Sequence, residues 1–484
     1  MIALLFGVAS AAEFTAPGEA RYTFALPPDV VVDADGTHTD QAWVLEQRFR
    51  LGLVAKFSDK FSATTEWDVG SGQLLGDTWA LSGPQDERLR GEYRARTVDG
   101  IGARKLELDG RAGPLDLQAG LTTSHWGLGM LANDGAHDPL FGKADFGDRV
   151  FRVRAATMPW LNSHDLPLVI VVAADLVAAD ETSRLLRDEV ALQGVAAVQM
   201  HPKEGSVYGV YFVGRHQTAD GRATNVGVAD AAFDVPVALG DWRLRLAGEA
   251  AGVLGRTSLA TTYNSADHVD VRSLGAALQT ELGAPDDVVV GHLRAGFASG
   301  DGNPDDGGSH DFTFDRDYDV GMLLFDERQA ALEAGLSSLV SDPTVAGRPP
   351  DGVETLTTEG AFRHATFVQP AVVVAPLDVL ELRAGAVFAW STAPQSNAFY
   401  TVRAGGTPMN ALNEPISGYG AGGGYGLGTE IDWAVRLHGG EATKDWTVHP
   451  ELLVQGAHAF LAEAAAGSGD KRLDLVTAIA RARW

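Results

Sequence analysis

The sequence predicts one antiparallel β-barrel that spans a membrane with about 18 strands, 16 being the fallback count. Three observations carry that prediction. Apolar and polar residues alternate with period two from end to end, and short connectors alternate with long ones. No apolar run approaches the ~18–20 residues of a membrane helix; the longest is Leu168 to Ala174.

Composition excludes other classes. The 484 residues hold 64 Asp and Glu against 38 Lys and Arg, a net charge of −26. That balance argues against general nucleic-acid binding, which needs a basic face. Without cysteine, the chain cannot carry a disulfide framework, a thiolate zinc site, an iron–sulfur cluster or a cysteine nucleophile. Its 57 glycines exceed the usual ~7% share and suit many turns.

Met1 to Ala12 reads MIALLFGVASAA, an apolar stretch with an A-x-A pattern at Ala9-Ser10-Ala11. The positive segment that opens most export signals is missing. The expectation is a signal peptide over 1–11 and a barrel over 12–484, a short buried strand being the alternative.

Residues 20–32 are the weakest strand candidate, needed to make the count even. The clearest is Ala42 to Phe57: Trp43, Leu45, Phe49, Leu51, Leu53 and Phe57 share one parity, and Glu46, Arg48, Arg50 and Lys56 the other. Asp241 to Val253 sets Trp242, Leu244 and Leu246 against Arg243, Arg245 and Glu249. In Asp286 to Ala298, Val289, Leu293 and Phe297 oppose His292 and Arg294. Asp378 to Trp390 and Thr429 to His438 repeat the pattern, with Glu381, Arg383, Asp432 and Arg436 on the polar side. Weaker alternation fills 60–70, 99–109, 113–123, 147–156, 165–176, 188–200, 205–217, 225–237, 268–281, 359–374, 446–461 and 471–484.

Tight connectors at Ser58-Asp59, Asp109 to Pro114, Asn162 to Asp165, Pro202 to Gly205, Gly283 to Asp286 and Ala375 to Asp378 alternate with long ones. The long ones cover 71–98, 124–146, 254–267, 299–358 and 392–423. Short turns on one rim and long loops on the other are the pattern of an outer-membrane barrel. Such a barrel turns apolar residues to lipid and polar ones to a wet lumen. Aromatics at strand ends fit the headgroup level: Phe57, Phe61, Trp160, Trp242 and Trp446 by short turns, Trp67, Trp126, Phe297 and Trp390 by long loops.

The polar parity therefore predicts the pore lining. Its bases are Arg48, Arg50, Lys56, Lys105, Arg152, Arg154, Arg243, Arg245, Arg294, Arg383, Arg436, Arg481 and Arg483. Its acids are fewer: Glu46, Glu66, Asp68, Glu107, Asp116, Glu249, Glu381 and Asp432. An arginine-rich lumen favours anions, and an anionic solute is the expected permeant. The competing reading is a ladder of ion pairs that stiffens the wall whatever passes.

Residues 299–358 form the longest connection. Its acid-rich start offers hard oxygen ligands, and Asp301, Asn303 and Asp305 are a candidate Ca²⁺ site; Gly307 falls one place late for an EF-hand. Calcium there would also bridge to lipopolysaccharide. Met322 to Val340 reads as a short amphipathic helix, in a loop that folds either inward as a constriction or outward as a surface.

No enzyme motif has its required setting, and the chain is expected not to be an enzyme. Gly418-x-Gly420-x-x-Gly423 mimics a dinucleotide fingerprint without strand–helix context. Ser124-His125 followed by Asp134 is the nearest approach to a hydrolase constellation, and the other histidines read as scattered. A non-conducting adhesin or structural barrel is the remaining alternative.

The closing strand, ending on Trp484, resembles the assembly signal of Gram-negative outer-membrane proteins, which implies the barrel-assembly machinery, outer-membrane lipid and lipopolysaccharide as partners. VLEQRFRLGLVAKFSDKFSATTE (Val44 to Glu66) and FASGDGNPDDGGSHDFTFDRDY (Phe297 to Tyr318) resemble stretches of alginate-export-type porins. SHWGLGMLAN (Ser124 to Asn133) resembles a segment of myxobacterial-type outer-membrane barrels. The resemblance implies an 18-stranded barrel and a porin or solute-export role, with an acidic polysaccharide among the expected cargoes.

Overall fold

Period-two alternation builds strands, and the strands close on themselves. The computed structural model describes residues 12–32, 38–77, 100–145, 147–158, 167–180, 182–202, 205–219, 221–259, 267–284, 288–303, 306–333, 360–410, 413–416, 425–440, 446–462, 465 and 471–484. Eighteen antiparallel strands form the barrel. The first nine are β1 (Gly18–Leu26), β2 (Val44–Ser58), β3 (Phe61–Gly76), β4 (Ile101–Ala112), β5 (Leu115–Thr123), β6 (Arg149–Thr157), β7 (Leu168–Ala179), β8 (Val190–Met200) and β9 (Val207–Ala219). The rest are β10 (Arg222–Leu239), β11 (Trp242–Thr257), β12 (Val269–Gly283), β13 (Val289–Ala298), β14 (Ala365–Leu377), β15 (Leu380–Ser391), β16 (Gly426–His438), β17 (His449–Leu461) and β18 (Arg472–Arg483). Two short pieces, Glu13–Thr15 and Gly308–Ser309, pair at the edges of β2 and β12.

Each strand pairs with its neighbour in sequence, and β1 pairs with β18 to shut the cylinder, Arg21 opposite Arg481. Gly18 and Trp484 exchange reciprocal backbone hydrogen bonds of 3.0 and 3.1 Å at the seam. A Cβ on residue 18 would lie 2.3 Å from the Trp484 ring, so a larger residue there would require that ring to move. Closure leaves no unpaired edge, the condition for strands in hydrocarbon.

The weakest candidate strand is real, though it stops at Leu26 rather than reaching 32. Turns of two residues join β2 to β3, β4 to β5, β10 to β11 and β14 to β15, on the rim that holds Gly18 and Trp484. The long loops occupy the other rim, apart from the tight hairpin between Ala219 and Arg222.

Parity sorts as a membrane barrel requires. Val153, Phe212, Leu254, Leu274 and Leu293 stand on the outer surface, Phe212 52% exposed and Val153 67%. Outward leucines, valines and phenylalanines recur on every face of the cylinder, and this belt matches lipid rather than water. Phe57 stacks on Phe61 across the first short turn with ring centroids 5.5 Å apart, and Trp242 and Trp446 are exposed near the same rim. Trp160 lies outside the described residues.

Trp126 departs from the expected aromatic girdle. It is buried, its indole N–H donates to Asp230 Oδ1 at 2.9 Å, and its ring stacks on Tyr211. The cause is the path of its loop, which turns into the barrel instead of out toward the headgroups.

Candidate functional site

Among the described residues, the loops that follow β5 and β13 both fold into the lumen. The first, 124–148, leaves β5, anchors beside β10 and β11, and crosses to the opposite wall. Glu249 Oε2 accepts the Leu128 backbone N–H at 2.5 Å, and Asp230 holds Trp126. At the far side, the carbonyls of Pro139 and Leu140 take Arg383, Gly142 exchanges two hydrogen bonds with Gln455, and Asp138 meets Arg481 and Arg483 at 2.8 Å each. Lys143 pairs with Glu46 at 2.5 Å, and Asp145 with Arg21.

The described parts of the second loop, 299–303, 306–333 and 360–364, pack on the first. Asp315 accepts the Asn133 N–H, and Asp317 accepts those of Asp145 and Gly147. Its apolar residues fill the lumen beside β12 to β18. Phe314 meets Phe312, Tyr318 and Phe362 edge-on, and Phe362 meets Phe325 and Phe367, with centroids 4.8 to 5.7 Å apart. Burying each such ring stabilises the packed loop by about 1.5–3 kcal/mol. The wall facing them is correspondingly apolar: Val387, Leu427, Leu453, Leu473, Leu475 and Ile479 point inward and are buried.

The described part of the predicted helix, Met322 to Val340, starts at Leu324. A π-helical turn spans Leu324–Gln329 and runs on as α-helix to 333; Leu336 and Leu339 lie outside the described residues. The described part sits inside the cylinder, with Leu324 and Phe325 in the apolar filling and Asp326 and Glu327 beside a cavity.

Glu430 on β16 caps this segment. Its carboxylate accepts the N–H groups of Met322, Leu323 and Leu324 at 2.5, 2.8 and 2.9 Å, donors that a helix start cannot satisfy itself. Gly321, at φ +73°, lets the chain turn there, and a Cβ would press on that carboxylate at 2.8 Å. Replacing Glu430 by alanine orphans the three donors, each at about 1–3 kcal/mol. Glu430→Ala should keep the barrel yet unseat the loop, read in single-channel records as frequent sub-state transitions. Quiet wild-type-like records would contradict the capping role.

The inward parity holds the residues that the alternation singled out, but few of them line open water. Glu249 and Asp432 are sealed under loop residues at 3% and 0% exposure. Arg481, though buried, still borders a cavity with Arg436 and Arg483. The sealing of Glu249 and Asp432 has one cause, the folding of protein into space that the pattern alone would leave to solvent. Arg152 pairs with Asp175 at 2.7 Å, Arg50 with Asp68 at 2.9 Å, Arg436 with Glu451 at 2.5 Å and Arg383 with Glu381 at 2.6 Å. Arg245 bridges Asp234 and Glu281, each at 2.8 Å. Arg294 donates to Gln369 and to the Asp319 carbonyl, with Tyr318 beneath it. Arg154 and His292 are half-buried, while Lys56 and Arg243 are exposed near the short-turn rim.

The register on the wall around the β18–β1 seam is unusual. Arg21 lies opposite Arg481 on one side and opposite Arg48 on the other, three guanidinium-bearing positions abreast on β18, β1 and β2. Like charges directly opposite are destabilising. Acids hold them: Glu19 bonds Arg48 at 2.6 Å and Arg483 at 3.0 Å, and the loop supplies Asp138 and Asp145. A cavity of about 180 Å³ opens there, lined by Arg21, Glu46, Arg48 and Asp68 from the wall and by Lys143, Asp145 and Arg316 from the loops. A second, of about 270 Å³, lies by Arg436, His449, Glu451, Arg481 and Arg483.

Burial works to raise the Asp138 carboxyl, but Arg481 and Arg483 prevail and hold it below the usual carboxylate range. A lowered folded value means the clamp contributes at every pH above that range and is lost only as pH falls through the depressed value. Asp319 behaves oppositely. Burial pushes it well above the ordinary value, Asp326 and Asp317 adding to the effect against Arg294 and Lys143.

Glu19, Arg21 and the loop acids escaped the sequence reading, although Glu19, Arg21 and Thr23 do alternate with Ala20, Tyr22 and Phe24. Arg104 escaped for another reason. Its parity matches the outward Leu106 and Leu108, but a bulge between Ala103 and Lys105 turns it inward, where it bonds Glu66 and the Asp134 carbonyl. In the proposed calcium segment, the two oxygens of Asp301 accept the Asn303 and His310 N–H groups, and Asp305 lies outside the described residues. So does Gly418-x-Gly420-x-x-Gly423. Ser124 accepts a bond from Arg152, which uses it as a wall contact.

A closed barrel of 18 antiparallel strands with an apolar outer belt and loops folded into its lumen has the fold of the porin-type β-barrels of Gram-negative outer membranes. No family model matches the sequence, and no curated protein matches it. Solved structures with this fold include Acinetobacter baumannii OccAB1, at 10% identity and TM-score 0.51, covering 97% of this chain and 96% of that one. Pseudomonas aeruginosa OpdK with vanillate also matches at 10% identity and TM-score 0.51, covering 99% and 100%. The likeness is one of fold. Neither comparison places the chain in the alginate-export-type group that its motifs resemble.

Proposed function

We propose that the protein is a channel for small hydrophilic solutes, with anionic solutes favoured. The observation that carries the reading is the abreast row of Arg481, Arg21 and Arg48, held against mutual repulsion by acids from a loop that enters the lumen. Guanidinium groups bind carboxylates in a bidentate fork. Asp138 and Asp145 occupy the places that a solute carboxylate would take, so permeation proceeds by exchange: the incoming anion borrows a guanidinium from a loop acid and passes it on. Weak, repeated binding of this kind suits conduction.

Cavities of about 180 and 270 Å³ suit small solutes better than a polysaccharide. OpdK was solved with vanillate, a monocarboxylate, which makes monocarboxylates the first solutes to try here. The test is the reversal potential of the refolded protein in a planar bilayer under a salt gradient. Anion preference is expected, and Arg21→Gln with Arg48→Gln should shift the potential toward cations. Cation selectivity in the unaltered channel would end the anionic reading, and negligible conductance would favour the adhesin alternative.

A further inference from the structure

Loop 124–148 brings together three side chains that are up to twelve residues apart in sequence. Backbone bonds from Trp126 to the Ala132 carbonyl and from Gly129 to the Trp126 carbonyl fold 126–132 back on itself. His125 thereby meets Asp134 and His137. Asp134 Oδ1 lies 3.7 Å from His125 Nδ1 and 3.5 Å from His137 Nδ1, and the three ligand atoms fall within 4.8 Å of one another. No other grouping of three such side chains this tight occurs among the described residues.

We propose that His125, Asp134 and His137 bind a divalent transition-metal ion of the zinc type. Two imidazoles and one carboxylate are a borderline-metal donor set, which hard Mg²⁺ and Ca²⁺ do not prefer. Bonds of ~2.0–2.2 Å at tetrahedral angles set donor atoms about 3.3–3.6 Å apart. One carboxylate–imidazole separation, 3.5 Å, is already of that size, and the other, 3.7 Å, lies just beyond it. They are also too long for hydrogen bonds, so a mere histidine–aspartate brace does not explain the cluster. The remaining separation closes by rotating His137, whose side chain is 73% exposed. Three protein ligands leave the fourth position open to water or solute.

The surrounding bonds fix the two less mobile ligands. Ala136 N–H donates to Asp134 Oδ1 at 3.0 Å, and Arg104 holds the Asp134 carbonyl at 2.9 Å. Asn133 donates its backbone N–H to Asp315 at 3.1 Å and accepts that of Asp148 at 2.7 Å. Gly129 admits no side chain, since a Cβ would lie 2.7 Å from the Asn133 amide and 3.2 Å from the His125 ring.

The test is titration of the refolded full-length barrel in detergent with Zn²⁺ by calorimetry, and with Co²⁺ as an absorbance probe of coordination. One saturable Zn²⁺ per chain is expected, with visible Co²⁺ bands of a tetrahedral site. His125→Ala with His137→Ala should weaken binding by at least the ~10–100-fold that loss of an outer partner causes, and abolish the bands. Asp134→Asn should weaken binding in the same direction. His137→Ala alone serves if the double variant fails the heat-modifiability check of folding, because the His137 side chain is exposed. Equal Zn²⁺ affinity in the wild type and His137→Ala, or no saturable binding in the wild type, would overturn the proposal. The readout is binding, so it stands apart from whether the channel conducts.

Discussion

Replacing residues 301–350 by a short Gly-Ser linker should raise single-channel conductance several-fold. The loop removed contains Phe312, Phe314, Tyr318 and Phe325, which fill the side of the lumen lined by β12 to β18. Their wall partners, Leu427, Leu473 and Ile479 among them, would then border water. Two effects oppose each other. The cross-section grows, which raises conductance; an apolar patch is uncovered, which lowers stability. The barrel ladder itself is untouched, because β13 pairs directly with β14 and depends on no residue between them. The altered protein should therefore still assemble, unfold at a lower denaturant concentration, and conduct more. Planar-bilayer recording settles it, and an unchanged conductance would mean that the loop does not constrict the pathway.

Phe212→Arg should cost about 2–4 kcal/mol, the penalty for arginine on the lipid face near the bilayer midplane. Phe212 is central in β9, paired with Ala196 and Ala229, and points outward. His292→Arg on the inward face of β13 is the contrasting case. His292 stands opposite Glu281, so a guanidinium there gains an acidic neighbour and a wet surrounding, and stability should hardly change. Unfolding in lipid vesicles, followed by tryptophan fluorescence, measures both. Equal penalties would contradict the sidedness of the wall.

The wall was legible in the sequence because its physics is local. Leu293 and Arg294 reveal their faces by being adjacent, and two-residue turns such as Asp59-Lys60 reveal where strands end. Even β1 shows its alternation once Glu19 and Arg21 are set against Tyr22 and Phe24. The lumen was not legible, because its physics is long-range. Nothing near Trp126 in sequence announces Asp230, and nothing near Met322 announces Glu430. The acids on the inward parity looked like pore lining for the same reason: a carboxylate that faces water and one that caps a loop satisfy the same pattern. Arg104 shows a third limit, since one bulge reverses the parity on which the reading depends.

The sidedness of β12 offers the most direct test of the whole account, helped by a chain without native cysteine. Leu278→Cys places a thiol on the outer surface, and Glu281→Cys places one beside Arg245 on the inner wall. In reconstituted vesicles, a membrane-impermeant charged thiol reagent should label residue 281 and spare 278, and a lipid-dissolved maleimide should do the reverse. Labelling of residue 278 by the charged reagent, with 281 protected from it, would contradict the claim that the apolar parity faces lipid.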